Sequence, residues 1–455
     1  MSASIPVMAW GVVLASLVVL PLAVRALWVS AVVRHEWTST SSLIFLVGMV
    51  GGLPTALSNL VAPRQERFDA FGNVRVGLVG WPAQVHQLLI IFTLSAALLF
   101  FILRIHREPV AGRSWAAILL VAIYASSDLI NGGVTDLGPR FVTLLVLLLA
   151  ISVAQPGRPA FLGVAAVCLT YAFLSGLQAA LHPTYAFRAC RTDKCGPGGA
   201  LYSGAFSNEN LLGLVLALSL PFVWLALRGR IRIIVVGYVL ATVLLTGSRT
   251  ALLAVAAAVV ALVVLRPSLD RSDHVAIGHI RQIAAIVGVA VIAIFGAVLP
   301  LLSSARSALG DRTYFWRVAL DGIRTSPLIG NGGTAWPNLY QSGRIPVSAS
   351  YSPHNQWLDV LYASGFLGLV VFVSLLGYLL LRDRLLITAS AAILIPVLAA
   401  STLERPWSFA INDGLTFILL AALLASRTPT IPDNWDAELP ASVGASATTK
   451  EESHL

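Results

Sequence analysis

Apolar stretches long enough to cross a lipid bilayer recur along nearly the whole chain, and they constrain its fold more than any other feature. About 20 consecutive apolar residues span the hydrocarbon core as a helix. In lipid, backbone N–H and C=O groups must be satisfied within the segment, so such stretches fold as helices. Thirteen can be read: 7–28, 41–62, 84–104, 115–131, 139–155, 159–181, 207–227, 231–246, 249–266, 281–302, 354–381, 384–403 and 410–426. The tight linkage at 115–155 and 231–266 leaves the count between twelve and fourteen. Charged residues make up only 11% of the chain and hydrophobic residues 57%, against about 25% and ~45–50% in soluble domains. The expected fold is all-α, a polytopic transmembrane helical bundle. A soluble globular enzyme, a disordered tail protein and a disulfide scaffold are excluded. No repeat of 20–50 residues stands out.

The net charge is +9, with Lys194 and Lys450 the only lysines. In a soluble protein that balance would suggest nucleic acid. Here the arginines lie mostly in loops between apolar stretches, which points to membrane topology and anionic lipid headgroups. No basic domain exists to bind nucleic acid, so membrane lipids are the expected partner. The first stretch has no basic leader and is long enough to span, so no cleavable signal peptide is expected. Short loops set orientation. Arg228, Arg230 and Arg232, Arg382 and Arg384, and Arg104 and Arg107 all fall on one side, taken as cytoplasmic. The tail from Arg427 is rich in Pro, Ser, Ala and Thr and is expected to be disordered on that same side.

Three long segments then lie outside: 63–83, 182–206 and 303–353. Cys190 and Cys195 bracket the polar run FRACRTDKCGPGG. A metal site there lacks a further Cys or His pair, so a disulfide is expected, in keeping with an oxidising outer face. Cys168 sits within an apolar stretch and reads as core. The 303–353 segment contains GDRTYFWRVALDGIRTSPLIGNGG. Asp311 is placed to cap a helix running to about Thr325. Phe315, Ala319 and Ile323 recur at helical spacing beside Trp316 and Leu320, with Arg317, Asp321 and Arg324 on the other side. Such a helix suits the membrane interface or the roof of a cavity.

Ionisable groups inside membrane spans are costly, so their depth is informative. Glu209, Arg249, Asp359, Glu404 and Asp413 all fall near the outer ends of stretches. An ion-driven transporter would more often place a carboxylate at mid-depth. Clustering at the boundary favours chemistry on a lipid-attached substrate whose head lies there. Arg249, in LLTGSRTALLAV, is either a snorkelling anchor or an anion-binding fork matched to phosphate oxygens, with Ser248 and Thr250 adding hydrogen bonds. Arg312 opens the amphipathic helix and either faces lipid headgroups or, with Arg249, clamps a diphosphate. Arg317 is the weaker candidate, since it reads more readily as a solvated face residue. In YSPHNQWLDVLYASGFLGLV, Ser352 reads as a helix cap and Pro353 as the first helical residue. His354 would then stand in the first turn, where the helix dipole disfavours imidazolium and a neutral ring can accept a proton from a hydroxyl. Asn355 follows it. Asp359 either orients or charges the site or reads equally as a solvated or headgroup-facing residue. In SGAFSNENLLG, Ser207 can cap the next stretch, and Asn208 and Asn210 offer amides suited to sugars or to the helix end itself.

At these residues the chain resembles the O-antigen ligase / O-antigen polymerase superfamily of polytopic glycosyltransferases. GAFSNENLLGLVLALSLP is similar to that family's G-x-F-x-N-x-N opening, and TGSRTALLAV to its S-R-[GT]-A turn. GDRTYFWRVALDGIRTSPLIGNG looks like its G-R-x-x-x-W…P-L-x-G-x-G outer loop. PHNQWLDVLYASGFLGLV resembles its H-N-x-x-L…G-x-x-G-L span start. The four occur in order across about 200–381. The resemblance implies a GT-C-type membrane bundle in a bacterial cytoplasmic membrane. It also implies transfer of a glycan from a polyprenyl diphosphate carrier to a glycan, lipid or protein acceptor outside that membrane. Arg249 and Arg312 match the family's diphosphate-binding arginines, and His354 its proposed base. Glu209 departs from the family pattern, which usually carries Pro there. No cofactor and no metal are expected, since two arginines can neutralise the leaving group and no acidic pair of DxD type lies on an outer loop.

The expected organisation is a set of N-terminal spans over 1–200, a catalytic membrane region over 201–426 with its outer loop at 303–353, and a tail over 427–455. The alternative is a transporter or flippase of lipid-linked sugars that uses the same arginines. Ligase and polymerase differ only in acceptor, and the residues do not choose between them.

Overall fold

The computed structural model of the protein describes residues 4–61, 66–68, 74–76, 81–106, 112–132, 137–191, 194–267, 269, 279–302, 312–346, 349 and 351–425. Asp311 and the 427–455 tail lie outside the described residues. In chain order the helices are α1 (Ser4–Trp28), α2 (Ser39–Val61), α3 (Trp81–Ile105), α4 (Trp115–Ile130), α5 (Leu137–Ser152), α6 (Arg158–Leu181), α7 (Pro183–Ala186) and α8 (Glu209–Ala226). They continue with α9 (Gly229–Thr246), α10 (Arg249–Leu265), α11 (His279–Leu302), α12 (Arg312–Thr325), α13 (Ala335–Gln341), α14 (Gln356–Leu381), α15 (Ile387–Ser401) and α16 (Thr416–Leu423). Two antiparallel hairpins accompany the helices. One pairs β1 (Glu66–Phe68) with β2 (Val74–Val76), and the other pairs β3 (Phe187–Ala189) with β4 (Ala200–Tyr202).

Each of the thirteen apolar stretches carries a helix. Among the described residues, ten helices are long and apolar enough to cross a membrane, and two shorter apolar ones cover 140–152 and 249–265. The last stretch forms only the eight residues of α16. The chain is a polytopic helical bundle. Its centre is α6, α8 and α15, whose side chains are buried nearly all round. Helices apolar on every face belong either in a core or against lipid. α3 and α11 take the second place, presenting Leu88, Ile91, Ile283 and Ile294 outward.

The α12 helix is of a different kind. Phe315, Trp316, Ala319 and Ile323 are buried and Arg317, Asp321 and Arg324 exposed, as the spacing predicts. The buried face joins Trp336, Tyr340, Leu358 and Tyr362 in a second, smaller core. A backbone seam holds this core to the bundle. Within α14, Gly365 leaves helical geometry at φ 62°, ψ −165°. The segment after α12 fills the gap: Asn331 and Gly332 N–H donate to the Tyr362 and Ala363 carbonyls at 2.8 and 2.9 Å. Phe366 and Leu367 N–H donate back to the Pro327 and Leu328 carbonyls at 2.9 and 3.2 Å. A Cβ at position 365 would sit 2.3 Å from the Leu328 carbonyl, so only glycine fits. The N-terminal helices add a second anchor. Asp128 on α4 accepts from the Thr334 N–H and hydroxyl at 3.0 and 2.7 Å, and Asn131 donates to the Gly330 carbonyl at 3.1 Å.

Short links reverse the chain between α8, α9 and α10, so α8 and α10 begin where α9 ends. A Cβ at Gly414 would lie 3.5 Å from Leu211 in the first turn of α8. The segment leading to Gly414 leaves the end of α15, which also meets the start of α14. The starts of α8, α10 and α14 and the end of α15 therefore share one end of the bundle.

Candidate functional site

At that end three segments distant in sequence meet on one carboxylate. Glu404 follows α15 and its side chain is 4% exposed. Its Oε1 accepts from Arg312 Nη2 at 2.9 Å. Its Oε2 accepts from the Tyr351 hydroxyl at 2.8 Å and lies 2.8 Å from His354 Nδ1. The Tyr351 oxygen is itself 3.1 Å from that ring nitrogen. Arg312 Nε reaches past the carboxylate to the Leu403 carbonyl at 3.1 Å. A buried carboxylate is costly unless paired and hydrogen-bonded, and Glu404 is both. Burial pushes its pKa up, but His354, Arg312 and Tyr351 outweigh that and hold it down to about 2.

The local chain geometry corrects two expectations. Asn355, not Ser352, caps α14: its Oδ1 accepts from Leu358 N–H at 3.0 Å. Its Nδ2 donates to the Gly296 and Thr402 carbonyls, both at 3.1 Å. An amide can satisfy all three groups at once, which a serine hydroxyl cannot, so the cap falls at 355 and Gln356 is the first helical residue. Ser352 instead accepts from the His354 N–H at 3.2 Å. His354 precedes the helix in left-handed geometry, φ 56°, a region few non-glycine residues occupy. The amide of Asn355 is thus spent on the scaffold.

Asp359 lies one turn into α14 in a second buried network. Arg405 Nη1 approaches its Oδ1 at 3.5 Å and Tyr124 donates to Oδ2 at 3.5 Å. The other end of Arg405 is 3.9 Å from Asp413. The Arg405 guanidinium also lies 5.8 Å from the Tyr351 ring centre, so the two networks touch.

A third cluster forms at the starts of α8 and α10. Cys190 and Cys195 are joined in a disulfide, and Arg191 and Lys194 exchange backbone hydrogen bonds inside it. Lys194 is thereby turned inward: Nζ donates to Glu209 Oε1 at 2.8 Å and Asn210 Oδ1 at 2.6 Å. Arg191 stands 3.5 Å from the same Glu209 oxygen. Asn208, not Ser207, caps α8, accepting from Leu211 N–H at 2.8 Å, while the Ser207 carbonyl accepts from Arg188. Ser248 caps α10, accepting from Ala251 N–H at 3.4 Å. Arg249 is the next residue and is exposed. Burial lowers the Lys194 pKa, the Arg191 and Arg249 charges add to that, and Glu209 opposes it.

Arg312 and His354 are therefore joined through Glu404. Arg249 belongs to the Lys194–Glu209 cluster at the same end of the bundle. Arg317 lies on the exposed face of α12, and Cys168 is buried as a free thiol. Among the described residues no three His, Cys, Asp or Glu side chains converge as a metal cage.

Sequence reasoning placed Glu404 at a span end but gave it no role, and it did not see Tyr351 or Arg405 as partners. The available signal was a Glu-Arg pair directly after a long apolar stretch, where an acid needs a partner.

No curated protein matches the chain. A family model described as O-antigen ligase matches residues 233–373, a segment that holds Arg249, Arg312 and His354 and stops short of Glu404. Over that segment the chain is similar to the O-antigen ligase superfamily, in agreement with the ordered motifs of its sequence.

Proposed function

We propose that the protein is a glycosyltransferase that moves a glycan from a polyprenyl diphosphate carrier to an acceptor hydroxyl, at the outer face of a bacterial cytoplasmic membrane. The observation that carries this reading is the single carboxylate shared by Arg312 and His354. A carboxylate at Nδ1 fixes the proton there and makes Nε2 the basic nitrogen. His354 Nε2 takes the acceptor proton as the acceptor oxygen attacks the anomeric carbon. The bond from that carbon to the diphosphate breaks with inversion. Glu404 stabilises the imidazolium that forms, as the buried acid of a hydrolytic triad does. Arg249 and Arg312 hold the diphosphate and take up the charge it gains on leaving.

In this reading Glu404 is a positioning residue, setting the Arg312 fork and the His354 ring at once. The carrier tail lies between spans, and the segment over 303–353 covers the site. The N-terminal spans over 1–200 support that cover through α4, and 201–426 carries the chemistry. Two guanidinium groups suffice to neutralise the leaving group, so the reaction runs without a metal.

The test is transfer from purified lipid-linked donor in EDTA. Activity is expected there, and Arg249→Ala or His354→Ala should abolish it. Full activity in either variant defeats the assignment, and translocation of the donor without covalent product would make the protein a transporter. Accumulated full-length lipid-linked polymer in a deletion strain would mark a ligase, and shortened chains a polymerase.

A further inference from the structure

A cavity of about 740 Å³ opens between α9 and α10 at the far end of the bundle from the site. The link at Gly247 and Ser248 pins the two helices together at the site end. Toward the other end they part. α9 lines the gap with Arg232, Val236 and Leu240, and α10 with Val259, Val263 and Arg266. The spacing is that of one helix face on each side, and among the described residues no helix fills the space between. From Arg232 to Leu240 the wall runs about 12 Å, less than half of a ~30 Å hydrocarbon core. Ile233, Val260 and Val264 beside it are exposed apolar side chains, so the groove gives onto a lipid-facing surface.

The mouth is cationic. The Arg232 guanidinium is stacked 4.1 Å from the Trp224 ring centre, which holds it at the rim. Arg266 ends α10 in left-handed geometry, φ 44°, and is exposed there. Arg228 lies at the same rim, 3.6 Å from Glu36, an acid it shares with Arg158 at 3.3 Å. Glu36 is thus shared by two arginines, and Arg232 and Arg266 line the same mouth. The first N–H groups of α9 also open here without a side-chain cap, and a helix start favours an anion. An apolar slot under a cluster of guanidinium groups is complementary to a phosphate headgroup carrying an acyl chain.

We propose that this groove is a binding site for an anionic glycerophospholipid, with its phosphate among Arg228, Arg232 and Arg266 and one acyl chain along Val236, Leu240 and Val263. A phospholipid is favoured over the polyprenyl carrier because the cations proposed to hold the carrier diphosphate lie at the opposite end.

The test is native mass spectrometry of the full-length protein released from mixed micelles of phosphatidylglycerol and phosphatidylcholine. Phosphatidylglycerol should be retained selectively. Arg232→Ala and Arg266→Ala should each weaken retention about fivefold. Leu240→Trp, which fills the slot and leaves every charge in place, should weaken it as well. Equal retention of the two lipids overturns the proposal. So does retention unaffected by Leu240→Trp, which would reduce the effect to surface charge. Displacement of phosphatidylglycerol by equimolar polyprenyl phosphate would also overturn it, by giving the groove to the carrier. Arg266 is exposed, so its variant tests the site even if a substitution deeper in the groove fails to fold.

Discussion

Arg312 and His354 engage opposite oxygens of the same buried carboxylate, Oε1 and Oε2 of Glu404. The geometry links the cation proposed to hold the leaving group to the base proposed to activate the acceptor. Replacing Glu404 by Gln keeps the shape but puts an NH₂ group against either Arg312 or His354, both of which donate. The ring then loses the partner that fixes its tautomer. Glu404→Gln is expected to lower the transfer rate about 10²-fold, within the usual range for a general base, as measured by single-turnover transfer from lipid-linked donor. Tyr351→Phe removes one of three donors and should cost less than tenfold, since one neutral hydrogen bond contributes about 1 kcal/mol.

Arg312 uses two faces of its guanidinium, Nε on the Leu403 carbonyl and Nη2 on Glu404. A lysine ammonium is a point donor and cannot span both. Arg312→Lys should therefore lose nearly as much activity as Arg312→Ala. Recovery of near-native rates by Lys would mean that charge alone matters at this position.

Acid should strip stability from the end of the bundle that holds Glu404. Its carboxyl is held at about 2 in the folded protein against an ordinary 4.5. A depressed carboxyl pKa stabilises the fold fully above the ordinary value, and that contribution is lost as pH falls from 4.5 through about 2. The unfolding midpoint should thus fall across that window, and the fall should be smaller in Glu404→Gln. Equal acid sensitivity in the two proteins would contradict the pairing.

How much of this was legible from residues alone differs sharply between fold and site. The thirteen helices followed from apolar length, a property of each stretch by itself. The α12 face followed from period, because Phe315, Ala319 and Ile323 repeat on one side whatever lies opposite. His354 and Arg312 could be singled out by residue type and boundary position. Glu404 could not be joined to them, since its role exists only where the end of α15, the start of α14 and the start of α12 converge. The cap of α14 was misplaced for a related reason. Ser352-Pro353 satisfies every local rule, but the Gly296 and Thr402 carbonyls that settle on Asn355 come from other helices.

Lys194 and Glu209 are both almost fully buried, with side chains 4% and 3% exposed. Breaking such a pair from one side leaves an uncompensated charge, at about 3–5 kcal/mol. Lys194→Met should cost near the low end, because Arg191 stays close to Glu209. Adding Glu209→Gln should restore most of the loss, which chemical denaturation of the three variants in detergent would measure. Additive losses would show that the two side chains act independently.

Gly365 is held left-handed against the backbone of Leu328. Gly365→Ala adds both conformational strain, roughly 1–3 kcal/mol, and a collision with that carbonyl. It should lower the melting temperature and loosen residues 327–332, seen as faster amide exchange at Asn331 and Gly332. Unchanged exchange would place the seam's stability elsewhere.

The same stitching bears on how a bulky donor reaches its place. Four main-chain hydrogen bonds tie 327–332 to the break in α14, and Asp128 and Asn131 fasten the next turn to α4. A stretch riveted from 327 to 334 onto two separate helices does not swing open there on a hinge. In the proposed reaction, a donor whose tail is already dissolved in the bilayer would instead slide in sideways between helices.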